Sequence, residues 1–219
     1  MTDFAAARRN MVDCQLRPNR VSDPALLAAM ETLPRERFVP RRLAGIAYLD
    51  EDLDLGNGRY LMEPAVLARL VEALAPAAGD TTQVIGAGAG YEAAVLGRMT
   101  AAVVAVEVDP VLAADATRLL GELAIDNVVL ETRSLAGGCP DHGPYEVILI
   151  AGAVAEVPAT LTAQLSPGGR LGAVVARGDG VMGRACLYVR TGDTVSRREL
   201  FDAGTPLLPG FAPEPAFVF

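Results

Sequence analysis

The chain of 219 residues contains no lysine, and all 19 of its cationic side chains are arginine. Without lysine there is no Schiff base and no phosphate-loop lysine, which excludes pyridoxal-type enzymes and ordinary nucleotide triphosphatases. Histidine is nearly as scarce, with His142 alone in "DHGPYE", and that residue reads as part of a loop. Cys14, Cys139 and Cys186 stand far apart, so neither a disulfide framework nor a zinc site has its usual spacing, and no metal is expected. Positive charge is also short: 27 acidic side chains give a formal charge of −8. Nucleic acid and anionic membranes both need a cationic face, so neither is an expected partner. No apolar run reaches the roughly 20 residues of a membrane span. Asp3, Arg8, Arg9 and Asp13 interrupt the start of the chain, which lacks the apolar core of a secretory signal, so a cytoplasmic location is the expectation.

What is present is apolar and patterned. Hydrophobic residues make up 51% of the chain, enough to bury a full core. "DFAAARRNMVDCQL" and "SDPALLAAMETL" carry helical spacing, the second with Ser22 or Asp23 as N-cap and Pro24 in its first turn. From Pro34 to Pro64 the periodicity breaks, and the segment reads as ordered but irregular. Residues 1–63 therefore read as a helical and loop extension, and residues 64–219 as a second part of different pattern.

In that second part strands alternate with helices. "PAVLARLVEALA" is amphipathic. "TQVIG", "AAVVAVEV", "NVVLET", "YEVILIAG" and "RLGAVVA" read as strands, separated by the helices "YEAAVLGRM", "PVLAADATRLLGEL" and "PATLTAQL" and by a turn at "SPGG". The fold class is α/β: a doubly wound, mostly parallel sheet of Rossmann-like type covered on both faces. "GRACLYVR" and "TVSRRELF" alternate as a C-terminal antiparallel hairpin at the sheet edge, and "GTPLLPGFAPEPAFVF" reads as a packed terminal segment.

The chemistry gathers in "TTQVIGAGAGY", residues 81 to 91. Gly86, Gly88 and Gly90 fall in the turn after the first strand of the alternating part. There an absent Cβ lets backbone approach a ligand at the carboxyl ends of the strands. A helix starting near Tyr91 would turn its free N–H groups toward the same place. A dinucleotide fingerprint needs G-x-G-x-x-G, yet position 91 is tyrosine, which disfavours a dehydrogenase. Glu107 closes the next strand, 21 positions after Gly86, where a carboxylate can accept both hydroxyls of a ribose. Alone, the glycines suit any tight turn and Glu107 any solvated strand end. Together they point to an adenosine-type cofactor.

With those residues in hand, the chain resembles the protein-L-isoaspartate O-methyltransferases, which use S-adenosylmethionine on such a sheet. The likeness runs through "NMVDCQLRPNRVSDPALLAAMETLPRERFVP", "AYLDEDLDLGNGRYLMEPAVLARLVEAL", "IGAGAGYEAAVLGRM" and "PYEVILIAGAVAEVPATLTAQLSPGGRL", and "LGNGRYLMEP" suggests a divergent bacterial branch. The resemblance implies S-adenosylmethionine as cofactor, held by Gly86, Ala87, Gly88, Gly90, Tyr91, Glu107 and, where the family has a second acid near the adenine, the hydroxyl of Ser134. It also implies that residues 1–63 carry a lid on the substrate side and that residues 64–219 are the cofactor-binding domain. The implied partner is a protein or peptide carrying isoaspartyl residues.

Three departures accompany it. Val84 stands where the family has an acid near the cofactor's methionine part; losing one charge-assisted hydrogen bond costs about 1.5–3 kcal/mol, or ten- to hundredfold in affinity. Met62 stands where a small serine is expected, and Tyr60 and Arg59 stand in the active loop. Arg59 is assigned to the acceptor carboxylate, with a surface charge as the alternative, and Tyr60 to a hydroxyl contact, with simple packing as the alternative. The rival reading of the whole chain is a methyltransferase-fold binding module or scaffold with little or no activity, or a methyltransferase for another acceptor.

Overall fold

Proline and aspartate set the helix starts. In the computed structural model, which describes residues 3–178 and 180–212, α1 (Phe4–Met11) is capped by Asp3 and continues as one wider π turn over Val12–Leu16. α2 (Pro24–Thr32) has Asp23 accepting from the Leu26 amide and Pro24 at its first position, where a missing N–H costs nothing. The next stretch is two 3-10 turns, Arg35–Arg37 and Arg41–Ile46. It ends in a structure not anticipated from the sequence, a hairpin of β1 (Leu53–Gly56) and β2 (Arg59–Leu61). Asn57 and Gly58 both have positive φ, the conformation Asn-Gly favours in tight hairpins.

The alternating part then follows: α3 (Pro64–Leu74), β3 (Thr81–Ile85), α4 (Tyr91–Gly97), β4 (Ala102–Glu107), α5 (Pro110–Glu122), β5 (Val128–Thr132), β6 (Tyr145–Val154), α6 (Ala159–Thr162), β7 (Leu165–Val175), β8 (Gly183–Thr191) and β9 (Thr194–Ala203). The expected helix "PATLTAQL" shrinks to the four residues of α6, because Pro158 caps it and the chain re-enters the sheet at Leu165. The expected turn "SPGG" lies within β7, where Gly168 takes a positive φ.

One sheet runs in the order β5-β4-β3-β6-β7-β8-β9, parallel from β5 to β7, with β8 and β9 as the antiparallel edge. Strands buried on both faces need near-continuous apolar sequence, which β4 and β6 supply. The extension packs into the same core as the sheet: Met11, Leu16, Leu26, Met30, Phe38, Leu61 and Met62 belong to one buried cluster with Val84, Tyr91 and Leu149. Arg35 is the polar clamp of that union. It is fully buried and donates to the carbonyls of Ala47 (2.7 Å) and Met62 (2.6 Å), with its guanidinium 4.9 Å from the centre of the Tyr91 ring. The "PLLPGF" segment is held against the end of β6: the Leu208 amide donates to Ala153 O (2.8 Å) and the Ala153 amide to Pro206 O (3.0 Å). The rest of the proline-rich terminus, 213–219, lies outside the described residues.

Candidate cofactor site

The chain leaves β3 for β4 and β5 on one side of the sheet and returns on the other with β6. The crevice at such a reversal is where open α/β sheets hold ligands. Gly86, Gly88 and Gly90 line its floor with φ of +80°, +52° and +95°, values that side chains avoid.

The three glycines answer to different neighbours. A Cβ on Gly90 would lie 3.1 Å from the Cβ of Ala116, so this glycine lets α4 start close against α5. A Cβ on Gly88 would meet Leu55 Cδ1 at 3.0 Å, and one on Gly86 would meet Arg59 Nη2 at 2.8 Å and Leu208 Cδ2 at 3.1 Å. Leu208 also crowds Gly152 across the crevice, 2.7 Å from where its Cβ would be. Three side chains, Leu55 and Arg59 from the hairpin and Leu208 from the terminal segment, thus occupy the space over the floor.

Glu107, fully buried at the end of β4, turns its carboxylate to the glycine turn. It accepts from the amides of Gly88 (2.6 Å), Val108 (2.8 Å) and Asp109 (3.1 Å). Arg59 completes its shell, with Nη2 at 3.0 Å and Nε at 3.2 Å from the carboxylate oxygens. At 1% exposure Arg59 is no surface charge, which removes that alternative. The pair is costly to bury, and the fork geometry and amide donors offset that cost only in part, because Arg59 Nη1 donates to no group among the described residues.

The other expected site residues scatter. Ala87 is buried, its amide donating to Val106 O (3.1 Å). The Tyr91 ring lies edge-on to Phe38 at 5.3 Å between centres, and burial pushes its hydroxyl up to about 12. Ser134 is exposed, ahead of the 3-10 turn Leu135–Gly137. Tyr60 is half-buried beside a cavity of about 510 Å³ that Asp52, Gly58, Met182 and Thr205 also line. Val84 and Met62 are fully buried in the core, where the Met62 carbonyl accepts from Arg35.

The sequence reading missed two participants. Leu208 carried no signal beyond its apolar, proline-rich surroundings. Glu92, in the first turn of α4, is fully buried, and burial pushes its carboxyl up to about 7 against the lowering pull of Arg35 and Arg59. The fold also brings Glu131 and Cys139 beside His142, but Glu131 is already paired with Arg133.

A carboxylate at the second strand's end facing a glycine turn at the sheet's reversal defines the chain as a doubly wound, nucleoside-binding methyltransferase-type fold. The model of the protein-L-isoaspartate(D-aspartate) O-methyltransferase family matches residues 7–197, and the chain belongs to that family. A protein-L-isoaspartate O-methyltransferase of Roseiflexus castenholzii is 40% identical over 212 residues, covering 96% of this chain and 95% of that one. Another from Methylorubrum extorquens is 42% identical over 169 residues, 77% of this chain and 74% of the relative. Among solved structures, a protein-L-isoaspartate O-methyltransferase superposes with a TM-score of 0.81 at 26% identity, over 94% of this chain and 67% of that one. A Plasmodium falciparum structure in complex with S-adenosyl-L-homocysteine shares the fold, with a TM-score of 0.75 at 16% identity over 95% of this chain and 99% of that one.

S-adenosylmethionine is the cofactor of this family. The polar set here suits it, since Glu107 is an acceptor pair placed for ribose hydroxyls and Gly86 and Gly88 bare the backbone beneath. The space does not suit it in the observed arrangement, because Arg59 holds Glu107 and Leu208 covers Gly86 and Gly152.

Proposed function

We propose that the chain transfers the methyl group of S-adenosylmethionine to the carboxylate of isoaspartyl residues in proteins or peptides. The observation that carries this reading is the family match across residues 7–197, joined to a Glu107 carboxylate that faces the glycine turn with Gly88 N at 2.6 Å. The cofactor, when bound, supplies an electrophilic methyl on sulfur. An aspartyl-type carboxylate is already ionised near neutral pH, so the chain needs no general base. Its residues position the acceptor and exclude water, and alignment of this kind is worth up to about 7–11 kcal/mol.

The acceptor's entrance is the cavity beside Tyr60, next to the hairpin residue that grips Glu107. Tyr60 supplies a hydroxyl there, and Arg59, with its planar fork, is the partner for the acceptor carboxylate once it leaves Glu107. No described helix is long and apolar enough to cross a membrane. A cytoplasmic setting, where the free thiols of Cys14, Cys139 and Cys186 stay reduced, belongs to the same proposal.

Steady-state methylation of an isoaspartyl peptide tests the roles. Arg59→Ala is expected to lower kcat/KM by about tenfold or more, the worth of a lost charge-assisted contact. Equal rates would remove Arg59 from acceptor binding.

A further inference from the structure

We infer that Arg59 is a displaceable plug: it holds the ribose-binding carboxylate of Glu107 until the cofactor evicts it, so that cofactor binding requires the β1–β2 hairpin to lift. The inference rests on the proposed function insofar as it takes the Glu107 hollow for the cofactor's place.

Four observations support it. The guanidinium presents Nε and Nη2 to both oxygens of Glu107, the same acceptors a ribose diol would use. One molecule of either kind fits there, not both. The fixed charge of Arg59 also opposes the sulfonium and ammonium groups of the cofactor within a buried space, where repulsion is poorly screened.

The grip is incomplete. Arg59 Nη1 is buried without an acceptor among the described residues, whereas Glu107 keeps the amides of Gly88, Val108 and Asp109 if the arginine departs. The carboxylate is therefore held for a ligand by the backbone, while the arginine leaves one of its own donors unmet.

The element bearing Arg59 is tied to the sheet through side chains. Among the described residues β1 and β2 form a sheet of their own, without ladder bonds to the main sheet, so the packing of Leu53 and Leu61 in the core is what lifting has to release. It is flanked on one side by the cavity beside Tyr60 and on the other by one of about 650 Å³, lined in part by Leu55, Asn57, Ala89 and Asp109. The side chain that fastens its tip is Asn57, donating to Asp109 at 2.8 Å on the exposed surface.

Calorimetric titration with S-adenosylhomocysteine on the wild-type chain and on Arg59→Gln tests the plug. The variant is expected to bind about tenfold tighter or more, the scale of one charge-assisted contact removed from the competition. Adding Glu107→Gln to Arg59→Gln is expected to abolish the gain. Equal or weaker binding by Arg59→Gln overturns the plug. Hydrogen exchange of the wild-type chain reads the same claim without a substitution: at saturating S-adenosylhomocysteine, the amides of 53–61 are expected to exchange faster, and unchanged or slower exchange overturns it. Methyl transfer to an isoaspartyl peptide separates the two readings. Transfer by the wild type without tightening in Arg59→Gln overturns the plug and leaves the function standing. Tightening without transfer by the wild type supports the plug and overturns the acceptor. Absence of binding by both proteins, with no transfer, overturns both.

Discussion

Glu92 shows how one buried acid ties stability to pH. It is 2% exposed, and burial holds its carboxyl at about 7 instead of the ordinary 4.5. Because the folded-state value is the higher one, the folded chain binds the proton more tightly than the unfolded chain does. Stability is then greatest below about 4.5 and falls as pH rises toward 7. Glu92→Gln keeps the shape and removes the charge, so urea unfolding should find it more stable than wild type at pH 8, by on the order of 2–3 kcal/mol, and equal at pH 4. Parallel curves for the two proteins across that range would contradict the assignment. At this scale the sequence displayed the glycine pattern and the strand-end acid because both follow from position within a strand-turn-helix unit. It did not display that Arg59 and Glu92 are interior: charged residues are presumed exposed, and only the three-dimensional pairing of Arg59 with Glu107 overrides that presumption.

The hairpin belongs to the scale of elements, and so does its fastening. Asp109 does two things there. It caps α5, accepting from the amides of Val111 (2.8 Å) and Leu112 (3.3 Å), and its other oxygen receives Asn57. The Asn57 hydrogen bond, with the two amides, draws its carboxyl below the usual range. Removing the cap and the tether together by Asp109→Ala should cost about 1 kcal/mol, or about 2–4 °C in Tm for a chain of this size. Asn57→Gly keeps the positive φ and loses only the tether, so it should leave Tm within about 2 °C while the amides of 53–61 exchange faster. Unaltered exchange in Asn57→Gly would show that the tip is held by something else. The parallel strands and their helices were legible because long apolar runs alternate with amphipathic ones. The hairpin was not, because strands of four and three residues are too short to establish a period, although Asn57-Gly58 stood as a turn signal.

Over the whole molecule, the crevice at the sheet's reversal is closed by parts distant in sequence: Arg59 from the extension and Leu208 from the terminal segment. Leu208 is 3% exposed, and Leu208→Ala should destabilise the chain by about 2–4 kcal/mol through lost burial and a residual cavity. If that space serves the cofactor, S-adenosylhomocysteine should raise the Tm of this variant more than that of the wild type, since ligand stabilisation at a fixed concentration grows with the logarithm of affinity. Equal shifts would separate Leu208 from the binding space. The sequence conveyed that the terminal segment packs, but not where, because a proline-rich apolar stretch has no period to fix its register. Its docking on Ala153 depends on β6 already being in place.

The most direct test of the account is transfer of labelled methyl from S-adenosylmethionine to an isoaspartyl peptide, by the wild-type chain and by Glu107→Ala. The wild type should label the isoaspartyl peptide and not its aspartyl isomer, and the variant should lose at least about a hundredfold in kcat/KM, as expected when a buried two-hydroxyl contact is removed. Labelling that is absent from the wild type, or undiminished in Glu107→Ala, would contradict it.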